Sequence, residues 1–208
     1  MAGARSPPRA GGRALSDAGD EVPLFPLHAV LFPGGRLALR IFEPRYMEMA
    51  KACLREDAAF GVCLIREGRE VGAPALPFEV GCLARIAHWD MPQLGILHVK
   101  VRGERRFRIL ERRVRGDGLA LARVALLPEE TDAPIAERHA ALARLLERLL
   151  VQGAAPLVAE PWQLDSSAWV SARLAEILPL PLAVRQRLLE LDDGATRLAA
   201  LAELLAQA

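Results

Sequence analysis

The hydrophobic pattern of this 208-residue chain changes period once, across the polar segment 128–134, and that change constrains the fold more than any other feature. Up to Leu127 the apolar residues fall in short alternating runs cut by Gly and Pro; beyond Pro134 they recur three and four positions apart. Side chains alternate across a strand but return to one face of a helix every 3.6 residues, so the two patterns specify different structures. The spacing predicts a β-rich region over 22–128 and a helical bundle over 129–208. Residues 1–21 form a tail that is expected to be disordered, because Pro7, Pro8, Gly11 and Gly12 break any helix there.

Within the first region, Val22-Pro-Leu-Phe-Pro-Leu27 is extended, since each Pro lacks a backbone donor and biases its predecessor away from helix. An edge strand or the approach to a loop is expected. Leu37, Leu39 and Ile41 alternate after the Pro33-Gly34-Gly35 turn signal, which predicts a strand. Pro44 then opens a helix whose stripe is Tyr46, Met49, Ala50, Cys53 and Leu54. Further strands are expected over 60–65, 80–88, 95–101, 106–111 and 119–126, with turns at Gly68, Gly72, Gly103 and 116–118. Such close spacing predicts a mainly antiparallel, partly closed sheet.

In the second region one stripe is Ile135, His139, Leu142, Leu146 and Leu149, a second is Val170, Leu174, Ile177 and Leu178, and a third is Leu198, Leu201 and Leu205. Asp165-Ser166-Ser167 reads as a helix start, in which a side-chain oxygen accepts an orphan amide. Pro181 can open a further helix through Val184 and Leu188, and Asp192-Asp193-Gly194 is a turn able to cap its successor.

Composition narrows the function classes. The chain is 52% hydrophobic and 25% charged with a net charge of +1, which argues against a surface built wholly for nucleic acid or an anionic membrane. Cys53, Cys63 and Cys82 are an odd, widely spaced set that suits reduced thiols in a cytoplasmic protein. No run approaches the roughly 18 apolar residues of a membrane span, and residues 1–20 lack the apolar core of a signal peptide, so neither insertion nor export is expected.

Motifs for chemistry are missing from the sequence. There is no Gly-rich phosphate loop ending in Lys-Ser/Thr and no G-x-G-x-x-G after a strand, so no nucleotide cofactor is expected. Outside the tail a hydrolytic nucleophile would have to be Ser166, Ser167 or Ser171, none of which sits in a G-x-S-x-G elbow. Cys82, His88 and His98 lack the close ligand pairs of a zinc site, and no metal is expected. The densest charge lies over 99–115, where seven Arg and one Lys meet two Glu. A basic strand face can bind RNA phosphates, but Phe107 is the sole aromatic there, which gives no stacking platform.

Three stretches carry a resemblance: Pro23-Leu-Phe-Pro-Leu27, Val30-Leu-Phe-Pro-Gly-Gly35 and Ile41-Phe-Glu-Pro-Arg-Tyr46. Together with Phe60-Gly-Val-Cys-Leu-Ile65, Val80-Gly-Cys-Leu-Ala-Arg-Ile86, Val101-Arg-Gly-Glu-Arg-Arg-Phe-Arg108 and the segment 169–180, they make residues 22–205 resemble the amino-terminal, substrate-binding domain of Lon proteases. The likeness is to the bacterial proteins made of that domain alone. It implies an α+β fold, a β-rich PUA-like pseudo-barrel followed by an α-helical bundle. The likeness ends with the helical region, without an ATPase module or a Ser-Lys proteolytic domain, so the implied activity is binding and not catalysis.

Two functions follow as expectations. The first is a protein-binding module for exposed hydrophobic or unfolded segments of client proteins, linked to a protease or chaperone system. Its candidate contacts are Phe25, Phe32 and Tyr46, with Trp89 expected at an exposed hairpin tip. Arg45 beside Glu43 is expected to be a structural ion pair or a helix-start charge rather than a ligand contact. The alternative is an RNA-binding PUA-like module using the basic face around Arg102–Arg115.

Overall fold

The computed structural model describes residues 21–154, 158 and 160–207. The tail expected over 1–21 lies outside these except for Glu21, which begins the first strand. The chain divides between Leu127 and Pro128 into two compact units.

The first unit holds β1 (Glu21–Leu27), β2 (Arg36–Ile41), α1 (Pro44–Glu56), β3 (Phe60–Glu67), β4 (Leu76–Pro77), β5 (Val80–Gln93), β6 (Ile96–Val114) and β7 (Ala120–Leu126). Strands β1, β7, β6, β5 and β3 follow one another by hydrogen bonding, and β3 returns to β1, which closes a five-stranded barrel. The closing β1–β3 pair is parallel and the rest of the ring is antiparallel. β2 pairs with β6, and β4 with β3, outside the ring.

β1 is therefore not the edge strand expected from its prolines. Glu21–Pro23 pair with β7 and Leu24–Leu27 with β3, so each half is laddered on one side only. Each half thus keeps one unladdered side, the setting in which a strand tolerates a residue without an N–H. The turn expected at Gly103 is also absent, because β6 runs unbroken from Ile96 to Val114. The glycine serves close approach instead. Gly34 N–H donates to Gly103 O at 2.9 Å, Gly103 N–H donates to Gly35 O at 2.9 Å, and a Cβ at Gly103 would penetrate the Phe32 carbonyl.

α1 begins at Pro44, whose absent N–H costs nothing in the first turn, and ends at Asp57 in the left-handed region (φ 46°). Its buried face is Arg45, Tyr46, Met49, Ala50 and Cys53, packed into a core with Phe25, Leu39, Ile41, Phe60, Ile86 and Val99. A second cluster fills the barrel around Phe107, with Leu24, Cys63, Leu83 and Val124.

The second unit contains α2 (Ala140–Leu149), α3 (Ser167–Ile177), α4 (Leu182–Glu190) and α5 (Gly194–Ala206). The expected caps form: Ser166 Oγ accepts from Trp169 N–H at 3.0 Å, and Asp193 Oδ1 accepts from Thr196 N–H at 2.8 Å. Pro181 stands at the start of α4. α5 begins against α3, where a Cβ at Gly194 would overlap the Ala168 backbone. Leu142, Leu146, Val170, Leu174, Leu188, Leu198 and Leu201 bury the predicted stripes.

Pattern alone did not reveal that this apolar bundle encloses Arg197, which has no exposed surface. Its guanidinium donates to Glu130 Oε2 at 2.9 Å, Ser171 Oγ at 3.1 Å and Leu188 O at 2.9 Å, and also engages Glu130 Oε1. Arg173, equally buried, pairs with Glu176 at 2.9 Å. Among the described residues no helix is long and apolar enough to cross a membrane.

Candidate functional site

The barrel unit has one strand whose outer edge is open. β2 pairs with β6 from Arg36↔Arg102 to Ile41↔Leu97, and among the described residues no hydrogen bond reaches its other edge. Beside that edge lies a cleft of about 420 Å³. Leu37–Ile41 form one wall, Phe25, Leu27 and Ala29 another, and Tyr46 contributes from α1. Glu70 and Val71, from the segment between β3 and β4, stand at its rim with Phe42 and Glu43.

The lining is apolar and aromatic because two periodicities meet there. Alternation in β2 turns Leu39 and Ile41 into the core while Arg36, Ala38 and Arg40 face solvent. Pro44 starts α1 immediately after the strand, which brings Tyr46 under the same wall. The Phe25 and Tyr46 rings stack at 4.2 Å with 24° between planes, and Phe25 meets Phe60 at 6.2 Å. Arg45 lies over the Tyr46 ring at 4.6 Å, bonds Glu43 at 2.9 Å and donates to Gly118 O at 3.1 Å. The ion pair expected of Arg45 and Glu43 is thus present, 7% and 18% exposed. Burial pushes the Tyr46 hydroxyl above its usual range, so this side chain is neutral at physiological pH.

Two of the four candidate contacts meet here. Phe25 and Tyr46 are mostly covered by the core but line the cleft. Phe32 is corrected to a core residue: it is 0% exposed and presents no surface, while its carbonyl rests on Gly103. Trp89 is corrected as well. It sits in mid-strand opposite Val99, half-buried against the core, because β5 continues to Gln93 and the hairpin turns at Leu94-Gly95. The residue displayed at that tip is Leu94, 94% exposed.

Sequence reasoning passed over Phe42 and Val71, which are 52% and 55% exposed beside the cleft. Phe42 carries a signal: it directly follows a strand on the parity of Arg36 and Arg40, and a large aromatic on an outward parity is not spent on the core. Val71 lies among Gly and charged residues, and nothing local marks it.

The remaining chemistry-bearing groups serve structure. Ser166 Oγ donates to Asp132 at 2.8 Å while capping α3, and Ser171 Oγ donates to Ala168 O at 3.2 Å. The three cysteines are buried and not disulfide-bonded, and burial pushes the thiols up to about 11 for Cys53 and about 12 for Cys63. Among the described residues no group of three or more His, Cys, Asp or Glu is placed to hold a metal. Much of the Arg102–Arg115 charge is committed: Arg113 bonds Glu21 at 2.6 Å, Arg115 bonds Asp117, and Arg112 donates to Ala75 O at 2.9 Å. These contacts hold Glu21 below the usual carboxylate range and Asp117 down at about 2, chiefly through the arginine hydrogen bonds.

Residues 21–207 match the model of the ATP-dependent protease La (LON) substrate-binding domain, nearly the whole chain. The chain belongs to this family. A solved Lon N-terminal domain protein from Xanthomonas campestris is 40% identical and superposes with a TM-score of 0.74, covering 90% of this chain and 98% of that one. The N-terminal domain of a Mycobacterium avium complex Lon protease, 21% identical with a TM-score of 0.59, covers 88% of this chain and 97% of that one and shares the fold. Among curated proteins, a Lon protease of Methylocella silvestris is 29% identical over 203 residues, 94% of this chain and 25% of that protein. Protein cereblon of Xenopus tropicalis is 33% identical over 124 residues, 57% of this chain and 27% of that protein. The chain thus spans about a quarter of the length of these curated relatives. The expected architecture, a barrel followed by helices in the manner of Lon N-terminal domains, is the observed one.

Proposed function

We propose that this Lon-type substrate-binding domain is a non-catalytic module that holds exposed apolar segments of unfolded client polypeptides in the cleft beside β2. The observation that carries the reading is the coincidence of an apolar cleft, exposed Phe42 and Val71, and an open strand edge in one place. An extended chain can satisfy its backbone on such an edge while its side chains fill the cleft. Clients would pass to a protease or chaperone system. The three buried, unbridged thiols favour a reducing, cytoplasmic setting.

RNA binding on Arg102–Arg115 is disfavoured because Arg112, Arg113 and Arg115 are held by neighbours within the fold. A second groove, about 280 Å³ between α1 and the starts of β1 and β7, is less suited to an apolar guest because Glu21, Glu48, Glu56 and Arg115 line it.

The test is fluorescence anisotropy with a permanently unfolded, carboxymethylated protein as ligand. Phe42→Ala and Val71→Ser together alter only exposed side chains, so the fold should persist. The expected loss of affinity is about tenfold, the scale of a truncated aromatic anchor. Unchanged affinity in the double variant, or binding that nuclease treatment abolishes, would refute the assignment.

A further inference from the structure

The two faces of β2 differ in charge, and a strand added to its edge must meet both. Successive side chains of an extended chain point to opposite faces, so a guest paired with Arg36–Ile41 sends alternate residues inward beside Leu37, Leu39 and Ile41. The intervening residues point outward beside Arg36, Ala38 and Arg40. We infer that the cleft selects extended segments in which apolar residues alternate with acidic ones, bound as an added β-strand on the free edge of β2. This rests on the polypeptide-binding reading above and specifies its substrate class.

Charge complementarity argues for the acidic half of the pattern. Arg36 and Arg40 are exposed, and among the described residues neither has a carboxylate partner. One strand behind them, Arg102 stands opposite Arg36 and Lys100 opposite Ala38, both exposed on the same outer face. At strand spacing this second row lies about 10 Å from an added strand, one Debye length at moderate salt, close enough to attract it. Farther across, on β5, Arg85 is neutralised by Glu104 and Asp57, so unbalanced positive charge concentrates next to the open edge. Of the carboxylates at the cleft, Glu43 is paired with Arg45 at 2.9 Å, while Glu70, at the rim beside Val71, accepts from the backbone N–H of His28 at 2.6 Å and keeps its charge.

Other occupants fit poorly. A second copy pairing through β2 would set Arg36 and Arg40 against their own counterparts, a device that keeps open edges from self-association. The chain's own first twenty residues carry Arg5, Arg9 and Arg13 against Asp17 and Asp20, a net positive charge that repels this face.

The test uses short labelled peptides alternating Val with Glu, Val with Lys or Val with Ser, and one with the Val and Glu residues in separate blocks. They are titrated into the full chain and into Arg36→Glu/Arg40→Glu. Two further Val-Glu peptides carry N-methyl groups on alternate amides, one parity each. The Val-Glu peptide is expected to bind about tenfold more tightly than the Val-Lys peptide, from the summed cross-strand charge pairs, and the charge-reversed variant should invert that order. The block peptide should bind more weakly, and one N-methylated parity should lose binding while the other keeps it. If Val-Ser and Val-Lys bind as tightly as Val-Glu, or both N-methylated forms bind fully, the inference is overturned while the polypeptide-binding reading stands. If no peptide binds, and polyuridylate binds in a manner abolished by the charge reversal, both fall and the face belongs to RNA.

Discussion

Replacing Arg197 by Met should unsettle the helical unit more than any loss of an exposed ion pair. The side chain is wholly buried, and its guanidinium serves Glu130, Ser171 and the Leu188 carbonyl together. Met keeps the apolar stem but removes the Arg197 charge that faces the Glu130 carboxylate, which is 12% exposed. Removing one partner of such a buried pair costs about 3–5 kcal/mol, whereas an exposed pair such as Arg113–Glu21 is worth about 1 kcal/mol or less. With a urea dependence of about 2 kcal/mol per molar, the unfolding midpoint should fall by about 2 M. Trp162 and Trp169 lie in the helical unit and Trp89 in the barrel, so fluorescence of a Trp89→Phe background follows the helical unit alone. Glu130→Gln should also be costly, and the double variant should recover a coupling of about 2–3 kcal/mol. A loss below about 1 kcal/mol for Arg197→Met, or simple additivity of the two changes, would refute the argument from buried charge.

Further predictions concern the barrel. Gly103→Ala should cost about 3 kcal/mol or more in urea unfolding, because the new methyl meets a fixed carbonyl rather than a flexible side chain. Gly116→Ala faces open space without a positive φ and should stabilise by about 0.4–1 kcal/mol; equal effects at the two positions would contradict the packing argument. Cys53 and Cys63 should resist a thiol-reactive dye at pH 8 in the native protein and react promptly in urea. Their folded-state pKa values are raised from 9.0 to about 11 and about 12, so above pH 9 the unfolded chain releases thiol protons that the folded chain retains. Stability is undiminished by this below pH 9 and should decline as pH climbs toward about 11–12; a flat profile in Cys53→Ala/Cys63→Ala relative to wild type would confirm the source, and an equally steep one would deny it.

What the sequence disclosed, and what it hid, follow from the range of the interactions involved. The change of period at 128–134, the α1 stripe and the caps at Ser166 and Asp193 are local signals, and the structure contains each. Pairing partners are not local. Pro23 and Pro26 mark a strand with limited laddering, but alternation could not show that β3 and β7 share it end to end and close a barrel. Gly103 reads as a turn because the close approach that demands glycine comes from Phe32, far away in sequence. The same blindness governs the site. Phe25 and Tyr46 were legible as aromatics of a distinctive motif, yet Phe32, in the same motif, is swallowed by the core. The cleft itself arises from an open β2 edge facing Phe25 and Leu27, which no single segment encodes. The buried Arg197–Glu130 pair joins residues 67 positions apart and was equally invisible.

The central claim, that this domain takes an extended polypeptide along β2, is tested most directly by amide hydrogen exchange with and without a saturating alternating Val-Glu peptide. Slowed exchange confined to residues 36–42, with no change over 105–115, is the predicted result. Protection confined to 105–115, or no protection at saturation, would contradict it.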